Sequence, residues 1–272
     1  MPRFSPTYRE ATREEPLHRK ILESIDLLTV STPDLARYFA RYTSARIAVC
    51  PNGIEPARWE TARALRAGKP ADYPLTIGVR GSPYHVHQDW RVLVPVWRAI
   101  ARLYPAVHFV TRGADAPYLH ELGARYHPLG LVPLDRYPES LAWIDVACGP
   151  LRDDAFNRGK SPILWMEHGA LGVPVVASPT VFGRVIRPGV DGFLATTAEE
   201  WIEKLARLIE SRELRERVGA AARASVLAHH TTDALSDQWD AAYRDALARK
   251  RVAHASSSSP SSTSPPSKRI SP

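Results

Sequence analysis

FNRGKSPILWMEHGALGVPVVAS, residues 156–178, reads as a loop, a helix, a tight Gly-Val-Pro turn and a buried strand. Lys160 and Ser161 stand at the helix start, where unpaired backbone N–H groups and the positive end of the helix dipole suit a phosphate. About two turns further on, the lone acid Glu167 is spaced to reach a sugar or ribose hydroxyl. Two plainer readings stand beside this one: Glu167 as an exposed acid or an arginine's partner, and Lys160 as a solvated lysine.

Upstream, the same alternation of strand and helix begins at Pro74. LTIGVRG (75–81), VHFVT (107–111), YHPLGLV (126–132), IDVACGPL (144–151) and VPVVAS (173–178) read as strands. Between them lie helical patterns at 88–103, flawed by Pro95, and at 116–125, 134–143 and 161–172. Helices follow at 198–211, 214–230 and 233–250, after a connector at 181–196 with a final short strand. This order implies right-handed crossovers and an α/β fold: a Rossmann-like, doubly wound parallel sheet over 74–230, with its ligand at the C-terminal ends of the strands.

Before that domain, ILESIDLLTV (21–30) reads as a helix end running into a strand. Ser31-Thr32-Pro33-Asp34 starts a helix, and RIAVC (46–50) is a second strand stopped by Pro51-Asn52-Gly53. Residues 54–73 read as a linker with one helix. From residue 251 the chain turns into a Ser/Pro-rich tail to 272, whose composition cannot bury a core and predicts disorder.

Net charge is +7, carried by arginines spread along the chain, which favours an anion-binding or membrane-facing surface over a basic DNA arm. No nucleic-acid motif accompanies it, so no nucleic acid is expected as a partner. Cys50 and Cys148 sit in apolar, strand-like contexts and read as buried free thiols. No apolar run approaches the ~18–20 residues of a membrane span, and a cytoplasmic location follows, with peripheral contact at the inner face of the membrane as a further expectation from charge.

Gly159-Lys160-Ser161 ends like a P-loop, but Asp154 stands where the first glycine of that motif belongs. Arg80-Gly81-Ser82 leaves the first strand of the domain; the glycine permits close phosphate approach and Ser82 offers a hydroxyl, although the spacing is not that of a dinucleotide site. His85, His87 and Asp89 lack the further ligands of a metal site, and Asp89 reads as a hydrogen-bonding or helix-start residue.

Together these segments resemble the C-terminal half of GT-B glycosyltransferases of the family 4 / group 1 type. The resemblance rests on DLLTVSTPDLARYF, IAVCPNGIEPARW, IGVRGSP, residues 144–178, VIRPGVDGFLA and the LRERVGAAAR helix. It implies a nucleotide-diphosphate sugar donor, retention of anomeric configuration, and no metal or other cofactor. It implies donor contacts from Arg80, Gly81, Ser82, Arg158, Lys160, Ser161 and Glu167, with Glu167 as the later acid of the family's Glu, seven residues, Glu pattern. The acceptor it implies is a glycan or a lipid-linked sugar in polysaccharide or envelope assembly.

The chain departs from that pattern in two ways. The earlier acid falls at Gly159, so no catalytic residue is assigned, and Arg80 or Arg158 is the candidate for the charge that other members carry elsewhere. A complete member also needs a further domain, on the order of ~150 residues, before STPDL. Residues 1–53 therefore read as the remnant of an N-terminal acceptor domain. The expected explanations are a fragment, a misplaced start or a separate acceptor-domain protein as partner. A non-catalytic nucleotide-sugar-binding or partner module is the rival reading.

Overall fold

The computed structural model describes residues 16–257. Residues 16–24 form α1, followed by β1 (Leu27–Val30), α2 (Pro33–Phe39), β2 (Arg46–Val49) and α3 (Ala57–Ala67). The main domain runs through β3 (Thr76–Arg80), α4 (Pro83–His87), α5 (Leu93–Leu103), β4 (His108–Arg112), β5 (Tyr126–Leu129), β6 (Val146–Gly149) and α6 (Ala155–Arg158). It continues with α7 (Ile163–Ala170), β7 (Val175–Ala177), α8 (Pro179–Phe182), β8 (Phe193–Leu194), α9 (Ala198–Glu210), α10 (Arg212–His229) and α11 (Thr232–Ser257).

β3 to β8 form one six-stranded sheet in the order β5-β4-β3-β6-β7-β8, with every pairing parallel. The chain winds outward from β3 to β5, then returns across β3 to start β6, so the winding direction reverses between β3 and β6. Such a sheet is covered on both faces. Successive side chains accordingly enter opposite cores: Val146, Cys148 and Val176 pack with Trp97, Phe109 and Trp201, whereas Ala147, Val175 and Ala177 pack with Trp59, Trp165 and Phe182. Both cysteines are buried free thiols.

Local chemistry sets the helix starts. The Thr32 hydroxyl accepts from Leu35 N at α2, with Pro33 in the first turn. Thr197 and Glu200 form a capping box at α9. Pro95 sits in the first turn of α5, which begins at Leu93 rather than at 88, because a proline there loses no helix hydrogen bond. Pro162 likewise delays α7 to Ile163.

Four expectations are corrected. Residues 116–125 form 3-10 turns kinked at Gly123 (φ +61°), and 134–143 form only two short 3-10 turns, Leu134–Arg136 and Glu139–Leu141, separated at Pro138, whose ring cannot donate to a continuing helix. The segment 54–73 is more than a linker: Trp59 and Ala62 of α3 are buried in the second core. The Ser/Pro tail begins later than residue 251, since α11 runs to Ser257; residues 258–272 lie outside the described residues.

Residues 27–49 supply a separate parallel pair, β1 with β2. It is tied to the body through its flanks. Ile54 exchanges backbone hydrogen bonds with His230 and Thr232 (2.9 Å each), and Lys250 and Asp245 of α11 pair with Asp26 and Arg46 (2.7 Å each). Thr32 Oγ1 donates to Gly159 O (2.9 Å), which joins α2 to the loop before α7.

α7 is positioned by α10. A Cβ on Gly219 of α10 would lie 2.0 Å from Gly172 O, and Gly172 itself turns the chain at φ +70°. Neither backbone can yield. Gly219→Ala should therefore destabilise the fold by about 2 kcal/mol or more, whereas Gly130→Ala, whose Cβ would meet nothing within 4 Å, should stay within about 0.5 kcal/mol of the parent in urea unfolding.

Candidate functional site

The reversal between β3 and β6 leaves a crevice at their C-terminal ends, the place where open α/β sheets take ligands. A cavity of ≈ 70 Å³ lies there, walled by Arg80 at the end of β3, Gly149 to Leu151 after β6, His85 of α4, and Lys160 with Ser161 before α7.

One buried carboxylate organises these walls. Asp89 is 1% exposed. It accepts from His85 Nδ1 (2.7 Å), Arg152 N (3.0 Å) and Asn157 Nδ2 (2.8 Å), and Lys160 Nζ lies 3.7 Å away. Burial alone would raise its pKa, but these hydrogen bonds and the lysine charge outweigh that and hold the carboxyl below the ordinary aspartate value. Because an ionised carboxylate only accepts, His85 Nδ1 must carry the proton. Lys160, 3.5 Å from that nitrogen, therefore acts on Asp89 rather than on the ring, and His85 Nε2 is left as the ring's other polar atom.

Lys160 is a half-buried cation, its Nζ 4.8 Å from the centre of the Phe156 ring. Burial pushes its pKa down, partly offset by Asp89 and Asp154. Arg80 Nη2 lies 2.5 Å from Glu167 Oε2, off the hydrogen-bond direction, so Arg80 Nε and Nη2 remain buried nitrogens with no hydrogen-bond acceptor. The Glu167 carboxylate meets the charge of Arg80, while these two nitrogens keep donor capacity that an oxygen of a bound anion can accept.

The sequence-predicted residues separate into groups. Arg80, Lys160 and Ser161 line the cavity; Ser161 Oγ is also met by Asn52 Nδ2 (2.9 Å), which brings the Pro51-Asn52-Gly53 turn to the site. Gly81 is packed to the limit: its Cβ would lie 2.7 Å from the His85 ring, and its own oxygen occupies the Cβ position of Gly113, which turns at φ +95°. Ser82 is the residue before α4, and its side chain makes no capping hydrogen bond. Arg158 does not join the cluster; it is held by Asp153 in an exposed two-pronged pair (2.6 and 2.9 Å). Asp153 five residues earlier was the available sign of that pairing.

Glu167 lies behind Arg80 rather than in the cavity wall. Tyr137 Oη donates to its Oε2 (3.0 Å), the same oxygen that faces Arg80. Burial raises its pKa, although Arg80 and Tyr137 both favour the anion. Burial likewise pushes the Tyr137 phenol well above its ordinary value, which keeps it a donor. The arginine-partner reading of Glu167 thus describes this geometry, with Oε1 outside both contacts. Sequence reasoning missed Tyr137, Asn157 and the organising role of Asp89.

Among the described residues no set of three His, Cys, Asp or Glu side chains is grouped to hold a metal, and no helix is long and apolar enough to cross a membrane.

The family model described as glycosyl transferase-like matches residues 94–241. Sucrose-phosphate synthase from Thermosynechococcus elongatus is similar with a TM-score of 0.66 at 19% identity, over 90% of this chain and 64% of its own length. HepE from Anabaena, described in complex with UDP-glucose, gives 0.66 at 18% identity, over 89% of this chain and 70% of HepE. The C-terminal domain of a glycosyl transferase group 1 protein from Francisella tularensis gives 0.52 at 15% identity, over 66% of this chain and 99% of that domain. At these identities the likeness establishes the fold, that of GT-B glycosyltransferases, and the match to an isolated C-terminal domain marks this chain as resembling that half. The chain spans 64% of the length of the synthase. No curated protein matches the sequence.

His168, next to Glu167, is fully buried; Nδ1 donates to Leu164 O (2.9 Å) and Nε2 has no partner. Burial pushes its pKa down to about 3 from an ordinary 6.5. Between those values the unfolded chain holds a proton that the folded chain refuses. Stability is therefore full above the ordinary value and is lost as pH falls towards the folded one. Urea unfolding at about pH 4.5 should show a loss on the order of 2 kcal/mol relative to pH 7, and His168→Leu should remove most of that difference.

Proposed function

The chain belongs to the glycosyl transferase-like family, and on that premise we propose that it is the donor-binding part of a retaining glycosyltransferase. It transfers a sugar from a nucleotide-diphosphate sugar to a glycan or lipid-linked acceptor, in polysaccharide or envelope assembly. The observation that carries this reading is the convergence of Arg80, His85 and Lys160 on one cavity at the reversal of the sheet.

In this reading the diphosphate lies across Gly81, Arg80 and Lys160. As the bond from the anomeric carbon to the phosphate oxygen breaks, negative charge grows on the diphosphate and the two cations offset it. The acceptor hydroxyl bonds to the anomeric carbon on the face the leaving group departs from and passes its proton to the departing phosphate oxygen. Glu167 Oε1 takes a ribose hydroxyl once Arg80 has turned towards the phosphates. HepE is described with UDP-glucose, which makes a uridine nucleotide the first donor to test. The acceptor side of the cleft comes from an N-terminal domain, in the same polypeptide or in a partner protein, and the positive surface favours peripheral contact with anionic lipid.

A second reading, a nucleotide-sugar-binding module without turnover, draws on Gly159 standing where the family's sugar-contacting acid belongs and on the engagement of Glu167 by Arg80 and Tyr137.

Calorimetric titration with UDP, GDP and ADP should show one preferred diphosphate. Lys160→Gln should weaken it about ten-fold, and Glu167→Gln should weaken it with a loss of preference for ribose over deoxyribose nucleotides. Absence of binding to all three diphosphates would overturn the donor-site reading. Sugar transfer by the chain alone should be slow or nil, and vigorous transfer would overturn the need for an acceptor domain.

A further inference from the structure

A cavity of ≈ 820 Å³ lies at the other end of the sheet. Its walls include Leu75 ahead of β3, Asp145 ahead of β6 and Gly172 ahead of β7, so it opens at the N-terminal ends of the strands, a strand's length from the cavity holding Arg80 and Lys160. α3 and the segment after it supply Arg63, Arg66 and Lys69; α10 supplies Arg212, Arg215 and Arg223.

These six cations are met by three carboxylates. Asp145 serves Lys69 and, at 3.8 Å, Arg66; Glu60 serves Arg63 (3.1 Å) and Arg223 (2.9 Å); Glu216 serves Arg212 (2.7 Å). The other partners are neutral. Arg66 Nη1 donates to the carbonyls of Ala142 and Ile144, Lys69 to those of Pro74 and Trp143, and Arg215 to those of Leu208 and Ile209. Carbonyls satisfy hydrogen bonds without cancelling charge, so a net +3 remains around one hollow. Arg223 Nε is buried without any hydrogen-bond partner. Burial and then the charge of Arg215 depress the Arg66 pKa, and Lys69 is depressed by burial and by both arginines against the pull of Asp145. Like charges are held together here at a cost that the three carboxylates offset only in part. Tyr73 stands in the wall, its ring 4.8 Å from that of Trp143, and adds an aromatic edge to it.

We infer that this cleft between α3 and α10 is a second anion site, which binds a phosphorylated ligand carrying at least two negative charges. Arg63, Arg212 and Arg223 are the residues that reach it by exchanging their carboxylate partners Glu60 and Glu216 for the ligand, since Arg66, Lys69 and Arg215 are held by the backbone carbonyls. Its volume falls within the range of small-molecule sites and exceeds what a single phosphate fills. A soluble phosphorylated metabolite and a phospholipid headgroup share this chemistry.

The test uses inorganic pyrophosphate on the full chain, by calorimetry, beside the variants Lys160→Gln and Arg63→Gln/Arg223→Gln. Pyrophosphate should bind Lys160→Gln with at least one site retained, and the double variant should lose about ten-fold or more at that site, with steep salt dependence. UDP binding at the site that Lys160→Gln weakens should be untouched by the double variant, which separates failure of this inference from failure of the donor-site reading. Arg212→Gln, whose side chain is 82% exposed, repeats the test without disturbing packing, and circular dichroism checks each fold. Sedimentation with vesicles of phosphatidylglycerol in phosphatidylcholine tells the sources apart: capture that the double variant loses assigns a headgroup, and no capture assigns a soluble ligand. Pyrophosphate binding abolished by Lys160→Gln, binding unchanged in the arginine variants, or no binding at all would overturn the inference.

Discussion

A carboxylate with almost no access to water must be surrounded by donors, and Asp89 meets that demand with one group from each of four places in the chain. The imidazole comes from α4, the backbone N–H from the loop after β6, the amide from α6 and the ammonium from the segment before α7. Val86 and Trp90 anchor the first of these stretches in the apolar core, and Asp89 gathers the other three around it. The charge therefore does for the crevice what hydrophobic burial does for the sheet, and it leaves Lys160 and His85 oriented without using up all of their polar atoms.

The two ends of the parallel sheet are built differently. At the C-terminal end, loops bring side chains together around a small opening. At the N-terminal end, two regular helices frame a wide one. The helix pair α7 and α10 links them: α7 carries Glu167 towards the first, α10 carries three arginines of the second, and their spacing is set by Gly219 against Gly172. A ligand that moved α10 would have a rigid contact through which to act on α7.

The sheet was legible in the sequence because each of its strands is a short apolar run closed by Gly, Pro or a polar turn, and because Thr32-Pro33 and Thr197 mark helix starts by a mechanism. The stretches 116–125 and 134–143 were not, since their Leu, Glu and Ala content favours helix while Gly123 and Pro138 veto a continuous one. Lys160 and Ser161 were legible from a local pattern. The Asp89–Asn157 contact spans 68 residues and Tyr137–Glu167 spans 30, so no local window contains them. Arg158 shows the reverse error: its charge and position suggested the site, and a neighbouring Asp153 claimed it.

The strap formed by α11 across β1 and β2 reverses the order in which the molecule can be completed. The first strands leave the ribosome early, yet the residues that hold them, Thr232, Asp245 and Lys250, are about 200 positions later. At synthesis rates of roughly 5–20 residues per second, the β1–β2 pair waits on the order of 10–40 s for its ion pairs with α11. A chain cut short before α11 would lack those ties permanently.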